Sequence, residues 1–482
     1  MALLTESRTV QLAIGAAMVA GEDGTYPVTN PAHPDEVVLE APAASLGQLD
    51  GAVAAARAAQ ASWAALDLEA RTEALQRACQ RAQESIDLEA TSALLTREHG
   101  KIVVESLFDL AATAGMVGSL APLVAESLEA RRVGDSVVER VPHGVVAAIL
   151  PFNWPAAVMG NKIISALLTG NTVVVKAPPS CPGAVLTLAG AIASQLPPGV
   201  MNTLNGPTVS LGAALVGHPG VDMVSFTGGV TAGRAVLAAC APHLRPAVLE
   251  LGGNEAAVVA PDLEPDDALA SRLIDAAFAT SGQVCMAVKR LYVPADRLAA
   301  WRDALVAALS RTVVGDGLDE GVTMGPVHTE AARDRVEDMI ALAAIGASQV
   351  IRPGTVVDPG HGWRVSPALV IDPDPGTPLV SEEQFAPALP VLAYTDLDGA
   401  VAAANDTAFG LCASVWSDDV ELADSVAERL EAGTVWVNAH GMGAMDHLAP
   451  MGGWGQSGLG LELGLEGMSV LTRPRVLRGG AR

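Results

Sequence analysis

Cysteine is sparse in this chain: Cys79, Cys181, Cys240, Cys285 and Cys412 are the only five in 482 residues. None forms a CxxC pair, none stands at metal-ligand spacing from a histidine, and the number is odd. A disulfide framework or a structural zinc is therefore not expected, and a reducing, cytoplasmic setting is. Aromatic residues are also scarce, at 3%, so an apolar pocket has to be built mainly from Leu, Val and Met. Basic residues are outnumbered, 29 against 54 acidic ones, and the formal charge of −25 argues against nucleic acid or an anionic membrane as a partner. The apolar stretch VVAAILPFNWPAAVMG contains two prolines and an asparagine, which excludes it as a membrane span. LAIGAAMVA (12–20) has the length of a signal core. Yet Glu6 and Arg8 precede it with no net positive charge and no convincing cleavage site follows, so a first β-hairpin is expected. Solenoid repeats and low-complexity segments are missing too.

What is present is a globular composition, half hydrophobic and 17% charged, in a chain long enough for two or more domains. Residues 48–88 and 90–130 have the spacing of helices with one apolar face. From VVAAIL (145–150) onward, short apolar runs alternate with helical segments: TVVVK, VMNTL, VDMVSF and AVLEL read as strands. That alternation predicts a parallel sheet with helices on both faces. A second alternating region, with strands near AAVVA, RLYVP, SQVIR, LPVLAY and TVWVN, predicts a second α/β domain, joined to the first near Gly252–Gly253.

Four stretches carry chemical possibilities. VSFTGGVTAG (224–233) ends a strand and opens a helix, and glycines there let a phosphate approach backbone N–H groups, or simply make a tight turn. Glu250 in VLELGGNE is either a solvated strand-end carboxylate or a desolvated general base. Asn153 in PFNWP donates to a loop carbonyl or to a developing oxyanion. Cys285 in SGQVCMAVKR is packing, a ligand or a nucleophile. SGLGLELG (457–464) follows loop residues rather than a strand and is not expected to bind phosphate.

Together PFNWP, GNTVVVK, FTGG-x-x-x-G, ELGGN, SGQVC, EEQFAP and PMGG-x-x-x-SG-x-G, in this order, resemble the aldehyde dehydrogenase superfamily over nearly the whole chain, from Asn30-Pro31 onward. The resemblance implies two doubly wound α/β domains, a Rossmann-like cofactor domain and a catalytic domain, plus a small oligomerisation β-sheet. Residues 1–122 and 143–252 would form the NAD(P)-binding domain, 253–455 the catalytic domain, and 123–142 with 456–482 the oligomerisation segments of a homodimer or homotetramer. Cys285 would be the nucleophile, with Asn153 and the Cys285 backbone N–H holding the oxyanion. Glu250 would activate water and Lys162 assist proton movement. Lys176 would contact the adenosine ribose, Gly228 and Gly229 would lie at the pyrophosphate turn, Glu383 and Phe385 would hold the nicotinamide ribose, and Gly233 and Leu251 would complete the cofactor site.

The departures from the family pattern are informative. Pro179 stands where many NAD-using relatives carry a ribose-binding glutamate, so either NAD or NADP is expected as the cofactor. Gly229 replaces a serine, Thr280 an asparagine and Ala386 a glycine. By position the substrate pocket would comprise Leu110, Thr113, Ala114, Trp154, Val158, Met286, His440, Met442 and Met445, with Asp109 and Asp446 nearby and no Arg or Lys. An uncharged aliphatic or aromatic aldehyde is therefore expected, oxidised through a cysteine thiohemiacetal and thioester with hydrolytic release. A semialdehyde dehydrogenase, a CoA-acylating relative and a non-catalytic scaffold are the alternatives. His440, Asp446 and His447 are not expected to bind a metal.

Overall fold

Two sets of short strands organise the protein, whose computed structural model describes residues 10–478. Residues 1–9, with Glu6 and Arg8, and the end of the C-terminal tail lie outside the described residues. The first sheet has the order Gly458–Leu459, Ala247–Glu250, Met223–Thr227, Val145–Ile149, Thr172–Lys176, Met201–Leu204. Its last five strands are mutually parallel, and Gly458–Leu459 closes one edge antiparallel to Ala247–Glu250. Every residue of Val145–Ile149 and Thr172–Lys176 is buried. This is why these strands read as continuous apolar runs: helices cover both faces. The order reverses between Val145–Ile149 and Met223–Thr227, and such a switch point opens a crevice at the carboxyl ends of the strands. The segments that leave those two ends are PFNWP and the Gly228-Gly229 turn. As expected, Leu12–Ile14 pairs with Ala17–Val19 in a hairpin. Its Ala13 N–H donates to Thr203 Oγ1 at 2.8 Å, tying it to the sheet edge.

The second sheet runs Gln349–Ile351, Ala368–Ile371, Ala388–Tyr394, Arg290–Pro294, Ala256–Val259, Cys412–Trp416, Thr434–Val437. Two of its inner strands, Ala368–Ile371 and Cys412–Trp416, were not expected from the sequence, and the strand in SQVIR is an antiparallel edge rather than a parallel member. Only residues 251–255 connect Ala247–Glu250 in the first sheet to Ala256–Val259 in the second.

The two long helices expected over 48–88 and 90–130 are five: Leu46–Ala64, Leu68–Ser85, Leu88–His99, Val103–Ala111 and Thr113–Ser127. Asp67 and Asp87 each accept a backbone N–H three residues ahead and so restart a helix, while the left-handed Gly100 ends one. The run Val103–Ser127 is long and apolar enough to cross a membrane by length and composition alone. Here it carries the buried Asp109 and packs against Pro155–Leu168, as a core element does. A separate three-stranded antiparallel ribbon joins Arg131–Val133, Ser136–Pro142 and Thr472–Arg478.

Candidate active site

Thr280, Ser281 and Gly282 are three consecutive left-handed residues, with φ of 53°, 58° and 73°, and they swing the chain toward Cys285. Two of the three carry side chains that disfavour this conformation. The turn is held by its neighbours. Thr280 donates its N–H to Glu105 at 2.6 Å and its hydroxyl at 3.2 Å, and Ser281 Oγ donates to Gly325 O at 2.8 Å. Gln283 returns its side-chain amide to Thr280 O and accepts the His328 N–H at 2.9 Å. Cys285 emerges half-buried, whereas the other four cysteines are fully buried. Burial pushes its thiol up to about 12; Lys289 opposes this, while Glu255, Glu383 and Glu250 add to it. The thiol is therefore protonated at neutral pH in the free protein.

Asn153 lies beside the turn. Its Nδ2 donates to Gln283 O at 3.0 Å, which leaves the second amide hydrogen for another acceptor. Its own carbonyl accepts from Lys101 at 2.9 Å. The fully buried Lys101 also pairs with Asp109 at 2.8 Å, and its ammonium lies 4.2 Å from the centre of the Trp154 ring. Asp109 in turn accepts the Ala157 N–H at 2.6 Å. The acid placed near the pocket by sequence is thus neutralised and engaged in fixing the start of the Pro155–Leu168 helix.

Glu250 ends its strand buried, and neither carboxylate oxygen has a partner among the described residues. Burial, reinforced by Glu462, raises it well above the ordinary carboxylate range, and Lys162 pulls the other way. Lys162 donates to Ser225 Oγ at 2.8 Å and to Glu462 Oε1 at 2.5 Å, and Ser225 donates to the same Glu462 oxygen at 2.9 Å. A cavity of about 20 Å³ adjoins these three, room for a water molecule. Glu462 escaped the sequence reading because SGLGLELG was judged only as a glycine fingerprint.

The glycine turn opens as a phosphate cradle requires. Gly229 precedes the Val230–Cys240 helix with no side-chain cap, and a Cβ there would meet nothing within 4 Å. The first N–H groups of that helix are left for an anion. Gly233 allows contact with Leu251, whose side chain would lie 2.5 Å from an added Cβ. Burial lowers the Lys176 ammonium to about 8, and no carboxylate pairs with it among the described residues. Pro179 is exposed, and its carbonyl accepts the Tyr26 hydroxyl at 2.7 Å. At the other end, Glu383 Oε1 accepts the Gly253 N–H at 3.1 Å, and Gly252 leaves the space its carboxylate fills. Phe385, left-handed at φ 50°, sets its ring edge-on to Phe152 at 5.9 Å. This open cradle, an unpaired lysine and a carboxylate at opposite ends fit a dinucleotide.

The sulfur borders an apolar cluster of Trp154, Val284, Met286, Ala287, Leu411 and Cys412, extended by Val158, Trp436, Met442, Met445 and Met451. Leu110 belongs instead to the core under the first sheet, Thr113 donates to Ala156 O at 3.4 Å, and Ala114 is exposed. His440 is buried, and burial drops its imidazole to about 3. As a neutral ring it donates from Nε2 to Met286 O at 2.9 Å and accepts at Nδ1 from Ser414 at 2.8 Å. It fixes the residue after the nucleophile rather than offering a group to the pocket.

A half-buried cysteine, an unpartnered buried carboxylate close enough to act on its charge, and an open glycine turn are the parts that a thiol-dependent oxidoreductase needs. The family model "Aldehyde dehydrogenase family" matches residues 18–477, and the chain belongs to that family. It is 38% identical over 454 residues to geranial dehydrogenase of Castellaniella defragrans, covering 92% of this chain and 93% of that one. It is 34% identical to phenylacetaldehyde dehydrogenase of Pseudomonas fluorescens, covering 97% and 95%. A mutant aldehyde dehydrogenase C from Pseudomonas syringae, solved with NAD+ and octanal, superposes with a TM-score of 0.91 at 32% identity, covering 98% of this chain and 97% of that one.

Proposed function

We propose that the protein oxidises an uncharged, apolar aldehyde to its carboxylic acid, with NAD+ or NADP+ as the cofactor. A dinucleotide would be held by Lys176, the N–H groups following Gly228 and Gly229, and Glu383 with Phe385, and would supply the hydride acceptor. Cys285 gives its proton to solvent at its half-buried face, and its sulfur attacks the aldehyde carbon. The oxyanion of the resulting thiohemiacetal takes hydrogen bonds from the free Asn153 amide hydrogen and the Cys285 N–H. Loss of hydride from that carbon leaves a thioester on Cys285. Glu250 removes a proton from water, which adds to the thioester carbon and releases the acid and the thiol. Lys162, Ser225 and Glu462 pass the proton onward.

The observation that carries this reading is a half-buried Cys285 within reach of the charge of an unpartnered Glu250. Glu250 also favours hydrolysis over acyl transfer to CoA. The Met- and Trp-rich lining supports an apolar substrate, since Lys101, the cation beside Trp154, is already paired with Asp109 and is not offered to a second carboxylate. The geranial, phenylacetaldehyde and octanal relatives point the same way. Exposed Pro179 offers no carboxylate to repel a 2′-phosphate, so both coenzymes serve.

The division into cofactor, catalytic and oligomerisation segments given above, the cytoplasmic setting, and a homodimer or homotetramer built through the ribbon of residues 131–142 and 472–478 belong to the same proposal. A two- or three-stranded ribbon is marginal alone, which favours a partner subunit. Absorbance of the reduced coenzyme, followed with hexanal, benzaldehyde, geranial and succinate semialdehyde, tests the function, with Cys285→Ser as control. Turnover of the semialdehyde alone defeats the substrate assignment, and an NAD preference above about a thousand-fold in kcat/KM, some 4 kcal/mol, defeats the dual-cofactor one.

A further inference from the structure

Lys289 lies four residues beyond Cys285, fully buried, and none of the steps above uses it. Its ammonium donates to the Glu255 carboxylate and to the carbonyls of Val284 (3.1 Å), Cys285 and Ala287 (3.3 Å). A lysine has three protons to give, so these four oxygens already saturate it. A fifth, Glu383 Oε1, stands 3.8 Å away. One buried cation therefore touches the backbone of the nucleophile segment and also neighbours the carboxylate assigned to the nicotinamide ribose.

We propose that Lys289 is a positioning residue that couples coenzyme binding at Glu383 to the readiness of Cys285. In the free protein its charge is shared between Glu255 and Glu383. When Glu383 turns to the ribose hydroxyls, that charge is left to Glu255 and the Cys285 segment, and the thiolate is favoured. The thiol proton leaves to solvent through the partly open face of the half-buried Cys285. The inference rests on the dinucleotide reading above. Its sign follows from the surroundings of the sulfur: Glu255, Glu383 and Glu250 all oppose ionisation, and Lys289 is the cation that favours it. Glu255 cannot give way, because Gly253 packs against its carboxylate and its Oε1 is already without a partner.

The test is the pH dependence of Cys285 alkylation by iodoacetamide, in which the thiolate forms the S–C bond and iodide leaves. It is followed by peptide mass spectrometry from about pH 8 to about pH 11, and the midpoint is taken from the rising limb of the rate, because the free thiol is pushed up to about 12. The midpoint is insensitive to how well the reagent reaches the sulfur. NADH is the probe, because its nicotinamide ring is uncharged and cannot itself draw the thiolate. In the wild-type protein NADH should lower the midpoint by about one pH unit, tenfold in thiolate at fixed pH. The amide pair Lys289→Gln with Glu255→Gln should raise the midpoint and abolish the response. Glu383→Gln, on a half-buried loop residue, should give the free protein the lower midpoint without NADH. A full NADH response in the double variant, or an unchanged midpoint in free Glu383→Gln, overturns the proposal. Failure of NADH fluorescence to change on mixing with the wild-type protein overturns the dinucleotide reading and this inference with it.

Discussion

Glu105 receives both the backbone N–H and the hydroxyl of Thr280, at 2.6 and 3.2 Å, where the chain bends left-handed toward Cys285. A β-branched residue in that conformation costs about 1–3 kcal/mol, and the carboxylate offsets it. The Trp154 indole donates to the same Thr280 hydroxyl at 3.1 Å, so the wall of the pocket is tied to the turn. Glu105→Ala should lower stability by about 1–3 kcal/mol in urea denaturation and reduce kcat as well. Thr280→Asn, which suits positive φ better, should recover part of both in the Glu105→Ala background. If Thr280→Asn makes that variant worse, the strain account is wrong.

Glu250→Gln should separate acylation from release. The variant is expected to produce about one equivalent of reduced coenzyme per subunit and then stall, with steady-state turnover lowered by roughly a hundred-fold or more. Because burial holds the Glu250 proton well above the ordinary carboxylate range, the carboxylate is the minor form at low pH. Release in the wild type should accelerate as pH rises, and the initial burst should not follow the same curve. A stalled burst absent from rapid-mixing traces would contradict this role.

Lys176 makes coenzyme affinity depend on pH. Its ammonium, lowered to about 8 by burial, is charged at neutral pH and loses its proton as pH climbs past that value. Fluorescence titrations should show Kd rising between about pH 7 and about pH 9, and more steeply for NADP than for NAD because of its extra phosphate. Lys176→Gln should bind more weakly at neutral pH and lack the slope.

His99, His328 and His440 form a buried neutral set, with His328 lowered to about 4, His440 to about 3 and His99 well below its usual value, each chiefly by burial. The unfolded chain takes up their protons below about pH 6.5 while the folded one does not. The contribution of these histidines to stability therefore holds above that pH and falls as pH drops below it, by about 1.4 kcal/mol per unit for each histidine, while buried carboxylates such as Glu250 act in the opposite direction. Urea denaturation of the wild type and of His440→Gln at about pH 7 and about pH 5 checks this; a change of stability with pH that is the same in both proteins would refute it.

Much of the first sheet was legible because its strands are fully buried and apolar, and their boundaries fall at glycines and prolines. The second sheet was less so. Ala368–Ile371 is four residues long, and Cys412–Trp416 mixes serine and cysteine into its run, so neither stands out from loop sequence. Cys285, Asn153, Glu250 and Lys162 were found through motifs. Lys289, Glu255, Glu105 and Glu462 were passed over because charged residues read as surface until their partners, tens to hundreds of positions away, are known. His440 lies against the backbone of Met286, the residue after Cys285, and only Ser414 and Met286 O reveal that both its ring nitrogens are already engaged.

Gly282 closes the left-handed run, and a Cβ built on it would lie 2.6 Å from Ala386 O and 2.7 Å from the carbon of that carbonyl. Main chain meets main chain there, with no flexible side chain to step aside. In a saturation library selected for growth on an aldehyde, codon 282 should come back as glycine alone. Codon 229, with open space around it, should return serine and alanine as readily as the parent residue.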